Sequence, residues 1–98
     1  MATSMSDIIT LKLSIDGVFH ESTMVSWITQ RARLLNLSGS INFQNATLIK
    51  LTVSGERVLV DAFQVACSLG PVNALVNSIT QSEIQTPMSF YRQQRQFI

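Results

Sequence analysis

The sequence contains a single cysteine, Cys67, so no disulfide bond can form within the chain. A lone thiol fits a reducing compartment, where structural disulfides are rare. Cys67 stands in an apolar stretch beside Ala66 and Leu69, which favours a buried structural thiol over a reactive one. Histidine is equally scarce: His20 is the only one, and no cysteine lies near it, so the sequence predicts no metal site.

Charge is also scarce. Charged residues make up 13% of the 98 residues, well below the roughly 25% of typical soluble domains. Seven Lys and Arg residues against six Asp and Glu residues leave a net charge of +1, which argues against a generic binder of nucleic acid or anionic lipid. No segment approaches the ~20 apolar residues of a membrane-spanning helix, and the beginning of the chain lacks the apolar region of a signal peptide. We therefore expect a cytoplasmic protein.

Proline and glycine number only two and four, so each one marks a boundary between elements. No linker, repeat or low-complexity segment is visible, and a chain of this length supports a single hydrophobic core. We expect one domain over residues 1–98, with residues 1–7 as a flexible N-terminus.

Between these boundaries the apolar residues recur with the periods of strands and helices. Alternation predicts strands over 9–15 and 49–53, and further strands are predicted over 38–43, 75–84 and, as a short fifth, 88–93. Steps of three and four residues predict two helices, along the stripes Met24, Trp27, Ile28, Ala32, Leu35 and Leu59, Ala62, Phe63, Ala66, Leu69. Ser22 or Thr23 is expected to cap the first helix, and Asn36 to end it in a left-handed conformation. The order predicts an α+β, ferredoxin-like βαββαβ sandwich: an antiparallel sheet of four to five strands with two helices on one face.

Several motifs of this sequence resemble those of the acylphosphatase family. Residues 70–76 read G-P-V-N-A-L-V and match the family pattern G-P-x-x-A-x-V. Gly55 falls where the family closes its second hairpin, residues 32–41 fit A-x-x-x-G-[LV]-x-G-x-V, and Gly17 falls on the first glycine of G-x-V-Q-G-V-G-F-R. The resemblance covers about residues 8–95 without a gap. It implies the same fold and the hydrolysis of carboxyl-phosphate bonds without metal or cofactor.

The resemblance also shows what is missing from this chain. The family's phosphate-binding arginine falls on Val25, and its water-orienting asparagine falls on Phe43. A guanidinium holds phosphate through two charge-assisted hydrogen bonds, which a valine cannot make. Glu21 and Thr23 stand where the family has two glycines, which adds a negative charge beside the expected phosphate loop. We therefore predict no catalytic residue of the family's kind.

The vestigial phosphate-loop site is expected in a loop over residues 17–25. Its candidate binding residues are Val18, Phe19, His20, Glu21, Ser22, Thr23, Met24 and Val25, together with Phe43. Phe43 is expected to fill the vacated space with Val25 and Met24. Arg31 lies too far along the helix to replace the missing arginine, and neither Asn42 nor Asn45 occupies the position of the missing asparagine.

Three functions remain open from the sequence. The favoured one is a catalytically inactive acylphosphatase-like domain, a pseudoenzyme that acts as a small interaction or regulatory module. The alternatives are an acylphosphatase with substituted active-site residues and a small-molecule binder at the 17–25 loop. Nucleic-acid binding on the open sheet face is not expected, because its predicted residues, Thr10, Lys12, Ser14, Lys50, Thr52 and Ser54, include no aromatic. A protein partner or a second copy of the chain is expected instead, without membrane or cofactor.

Overall fold

The computed structural model of the protein describes residues 7–86 and Phe97. The elements are β1 (Ile8–Val18), α1 (Glu21–Leu34), β2 (Ser38–Gln44), β3 (Leu48–Glu56), α2 (Arg57–Leu69) and β4 (Leu75–Ile84). All strand pairs are antiparallel, and the sheet has the order β2-β3-β1-β4. This confirms the α+β, ferredoxin-like βαββαβ fold with a four-stranded sheet. Two predicted segments lie outside the described residues: the fifth strand over 88–93 and the N-terminal residues 1–6. Asp7 forms an ion pair with Arg57, whose Nε lies 3.2 Å from Oδ1 of Asp7.

The two faces of the sheet differ in polarity because the strands alternate. The buried face carries Ile9, Leu11, Leu13 and Ile15 from β1 and Ile49, Leu51 and Val53 from β3, all at most 5% exposed. These side chains pack with the inward residues of both helices. On the opposite face, Thr10 and Ser54 are buried and share a hydroxyl–hydroxyl bond of 2.9 Å.

Helix α1 begins earlier than expected. Its N-cap residue is His20, so Ser22 and Thr23 lie within the first turn, and the prediction that one of them caps the helix is wrong. Their hydroxyl oxygens instead lie 3.4 and 3.1 Å from Nδ1 of His20. The helix ends as predicted, with Asn36 at a φ of 59°. The Asn36 N–H donates to the Arg33 carbonyl and the Leu37 N–H to the Ala32 carbonyl, the pair of bonds typical of this helix ending.

Helix α2 presents a different line of residues to the sheet than the sequence predicted. Val60, Phe63 and Cys67 are fully buried, whereas Ala62 is exposed and Leu69 is 74% exposed. The prediction for these last two residues is therefore wrong. The helix is apolar on two sides, and the side that faces the core includes Phe63, whose ring centre lies 6.5 Å from that of Phe97. Neither helix of the described residues has the length and apolar character needed to cross a membrane.

Candidate functional site

The connection between β1 and α1 is much shorter than the predicted loop over 17–25. β1 continues to Val18, α1 begins at Glu21, and only Phe19 and His20 join them. Phe19 is 6% exposed, so the chain turns into the core as soon as the strand ends, and Met24 then becomes the first fully buried residue of the helix. The prediction of a loop is wrong for residues 21–25, which are helical.

Two main-chain donors at this junction are already used. The Gly17 N–H donates to the Thr47 carbonyl and the Phe19 N–H to the Ala46 carbonyl, each at 3.0 Å. The acceptors belong to the β2–β3 turn, which is fixed by Asn45: its Oδ1 accepts from the N–H groups of Thr47 and Leu48 at 2.9 and 2.8 Å. The turn lies between the strands predicted over 38–43 and 49–53. Its packing against the end of β1 leaves the Gly17 and Phe19 donors engaged with protein rather than open to an anion.

A bulge in β2 decides which side chain reaches the junction. The pairing of β2 with β3 shifts between Ile41 and Phe43, so Phe43 pairs with Lys50 and Gln44 with Ile49. Since Ile49 is fully buried on the helix side of the sheet, Gln44 shares that side with it. The Gln44 Nε2 donates a 2.9 Å hydrogen bond to Oε2 of Glu21. Gln44 is the residue of this site that sequence reasoning missed, because an extra strand residue reverses the faces and leaves no trace in the hydrophobic pattern.

Phe43 lies away from the junction. It is 48% exposed and pairs with Lys50 on the polar face of the sheet. Met24 is fully buried, and Val25 is half-buried and packs against the core. The expectation that Phe43 fills the space beside Val25 and Met24 is therefore wrong, and the bulge is the physical reason.

No lysine or arginine occurs between Gly17 and Val25, and the only acidic residue of this segment is Glu21. The guanidinium of Arg31 lies 5.1 Å from the centre of the Trp27 ring, a cation–π contact along α1. Arg33 donates from Nε to the Phe97 carbonyl at 3.0 Å. Both arginines of α1 therefore have other partners, and the start of the helix combines its positive dipole end with a carboxylate.

The remaining candidate residues are spread over different environments. Val18 is 59% exposed, and His20, Ser22 and Thr23 are exposed at the beginning of α1. A shallow surface cavity of about 390 Å³ lies nearby, lined by Ser22, Thr23, Ser26, Trp27 and Gln30, all from α1. A second cavity of about 620 Å³ lies between α2 and β4, and a third of about 350 Å³ lies on the polar face of the sheet. Neither Val25 nor Phe43 lines any of these three cavities. The described residues contain no group of three His, Cys, Asp or Glu side chains placed to hold a metal ion.

The fold is shared with solved structures. No protein-family model matches the chain, and no curated protein matches it closely in sequence. An acylphosphatase from Coxiella burnetii superposes with a TM-score of 0.78 and 18% identity, over 89% of this chain and 92% of that one. The chain has the acylphosphatase fold.

Two further structures agree with this. An acylphosphatase from Bacillus subtilis superposes with a TM-score of 0.77 and 15% identity, covering 91% of this chain and 94% of that chain. Full-length HypF, in its phosphate- and nucleotide-bound form, gives a TM-score of 0.69 and 18% identity, covering 92% of this chain but only 11% of HypF. The acylphosphatase fold thus accounts for nearly the whole chain.

Proposed function

We propose that this chain is a catalytically inactive acylphosphatase-like domain that acts as a small interaction or regulatory module. The observation that carries the proposal is the carboxylate of Glu21 at the β1–α1 junction, where an acyl phosphate would have to bind. Glu21 places a carboxylate at the first residue of α1, and Gln44 holds it with a hydrogen bond of 2.9 Å. A phosphate dianion at this point would be repelled by that carboxylate.

Val25 and the main chain support the same proposal. Val25 packs against the core in place of the cationic clamp that the resemblance implies. Losing one preorganised donor to a transition state costs about 3–4 kcal/mol, or 10²–10³ in rate. The Gly17 and Phe19 N–H groups donate to carbonyl groups of the β2–β3 turn, so these two donors are not available to a phosphate. The single, buried Cys67 supports a reducing compartment such as the cytoplasm as the place of action.

One observation favours the second candidate, an acylphosphatase with substituted residues. The bulge in β2 brings a carboxamide, Gln44, to the start of α1, and a carboxamide is the group expected to orient an attacking water. This candidate lacks a permanent cation near the phosphate.

Benzoyl phosphate hydrolysis tests the proposal. We expect the wild type to match the buffer rate, with the Coxiella burnetii acylphosphatase as the positive control. A Val25→Arg/Gln44→Asn variant, which places an arginine where the resemblance implies one and keeps a carboxamide at position 44, is compared with Val25→Lys/Gln44→Asn, which supplies charge without the guanidinium fork. Wild-type turnover above the buffer rate that Gln44→Ala abolishes would establish the substituted enzyme and overturn the proposal.

A further inference from the structure

The solvent-facing side of α2 carries a line of apolar residues beside the exposed Arg57, Asp61 and Ser68. Val58, Val65 and Leu69 are 68%, 63% and 74% exposed, and Ala62 between them is exposed as well. We call these four residues the outer seam. They are separated by four, three and four positions, the spacing that places side chains in line along one side of a helix and along which helices pack. A surface helix normally has polar residues on this side.

Two more large apolar side chains are exposed in the residues that follow the helix. Val72 is 97% exposed and Leu75 is 60% exposed, immediately after α2. Together with the outer seam they account for five of the eight large hydrophobic side chains that are exposed in the described part of the chain. Scattered exposed hydrophobic residues are ordinary, whereas a contiguous patch marks a contact site.

We propose that a second copy of this chain covers the outer seam, as an antiparallel pair of α2 helices related by a two-fold axis. The inference rests on the proposed function, an interaction module, and names its partner. With the axis midway between Ala62 and Val65, Val58 lies opposite the partner's Leu69, and Ala62 opposite the partner's Val65. Each contact then occurs twice, as a two-fold interface requires. The small Ala62 allows the two helices to approach closely.

The charges favour a second copy over a charged partner. The outer seam itself contains no charged residue, and the exposed Asp61 beside it is the one acidic residue of α2, so the surface offers little attraction to a strongly charged protein. The basic residue at the start of the helix, Arg57, is already paired with Asp7. A net charge of +1 leaves little repulsion between two copies.

The area fits a weak dimer. A Val or Leu side chain offers on the order of 100 Å² of apolar surface, so five that are about two-thirds exposed offer roughly 300–400 Å² per copy. The surface buried on both copies together, including the polar residues that flank the apolar ones, would be about 1,000 Å², near the lower limit for a specific interface. We therefore expect a dimer that forms and dissociates with concentration.

Sedimentation equilibrium from about 10 µM to 1 mM, the range that corresponds to weak association, tests the inference. The weight-average mass should rise from 10.9 kDa towards twice that value. Val65→Lys should weaken the dimer by at least about tenfold, because a lysine would be buried without a partner. The matched control is Leu34→Lys on α1, where Leu34 is 78% exposed, and it should associate like the wild type. A wild type that stays monomeric throughout, or equal effects of the two lysines, would overturn the proposal.

Cross-linking tests the orientation. Val58→Cys and Leu69→Cys are prepared separately and then mixed under oxidising conditions, and we expect a disulfide-linked dimer only in the mixture. In an antiparallel pair, two copies of position 58 lie about 16 Å apart along the helices, at 1.5 Å per residue, beyond the reach of a disulfide. Cys67 is fully buried and takes no part. Cross-linking of either variant alone would contradict the antiparallel pair, and benzoyl phosphate turnover, a separate readout, would still decide the proposed function.

Discussion

The side-chain amide of Gln44 donates a 2.9 Å hydrogen bond to Oε2 of Glu21. This bond joins the end of β2 to the first turn of α1 and keeps a carboxylate near the positive end of the helix dipole. The protein thus supplies its own anion at the place where an external anion would otherwise be attracted. Under the proposed function, this carboxylate is what opposes phosphate binding at the junction.

Removing the Glu21 carboxylate while adding a cation should create a phosphate site. We expect inorganic phosphate to leave the Tm of the wild type unchanged, and to raise the Tm of Glu21→Gln/Val25→Arg by roughly 5 °C at concentrations well above Kd. Val25→Arg/Glu83→Gln carries the same net charge but keeps Glu21, and serves as the control, with matched sodium chloride in every sample. An equal response from the two variants would show that Glu21 does not block the site.

A methyl group on Gly17 should disrupt the pairing of β1 with β4. The Cβ of an alanine there would lie 2.1 Å from the Leu75 carbonyl oxygen, a main-chain atom that cannot move without shifting β4. We expect Gly17→Ala to lower the free energy of unfolding by about 3 kcal/mol or more, measured by urea denaturation. Gly55→Ala is the control, because its Cβ meets a methyl group of the Leu37 side chain rather than main-chain atoms, and it should cost less than Gly17→Ala.

Loss of the Thr10 hydroxyl should remove two hydrogen bonds from a buried part of the sheet. Thr10 Oγ1 bonds to Ser54 Oγ at 2.9 Å and to Thr86 Oγ1 at 2.7 Å, and Thr10 is fully buried. Ser54 Oγ keeps its bond to the Ile9 carbonyl at 3.2 Å, so we expect Thr10→Val to cost about 1–2 kcal/mol of stability, the sum of two ordinary hydrogen bonds. Thr52→Val breaks an exposed bond to Asn42 and should cost under about 1 kcal/mol. Similar losses in both variants would contradict this account.

The buried thiol should make the fold sensitive to alkali. Burial raises the pKa of Cys67 from 9.0 to about 12, with the positive charge of Arg31 acting weakly in the opposite direction. Between these pH values the unfolded chain loses the proton first, so the folded state binds more protons and stability falls as pH rises. Relative to Cys67→Ala, the wild type should lose about 1.4 kcal/mol per pH unit above pH 9, in urea titrations at several pH values. A constant difference between the two proteins would show that the thiol ionises freely in the fold.

The strands of the sheet could be predicted because their chemistry repeats at every second residue. Between Ile9 and Ile15 each inward residue is aliphatic and each outward one is polar, and both neighbouring strands lock that alternation in place. The end of α1 was equally predictable, since few residues other than glycine adopt the conformation that Asn36 takes.

The site and α2 were less predictable for reasons of geometry. The bulge between Ile41 and Phe43 contains no glycine that would mark it, yet it exchanges the faces of Phe43 and Gln44. The sequence of α2 carries two apolar lines, and periodicity alone does not say which one meets the sheet. Phe63 belongs to the line that meets the sheet, and it packs against Phe97, which is distant in the sequence.

The burial of Phe97 also bears on how the protein is made. This ring is fully buried, and its carbonyl accepts a hydrogen bond from Arg33, so residues from the first helix and the far end of the chain complete the core together. During synthesis, β1 must wait for β3 and then β4, and the helices remain without Phe97 until residue 97 has been added. The nascent chain therefore keeps part of its apolar surface uncovered until residue 97 has been added, and uncovered apolar surface promotes aggregation.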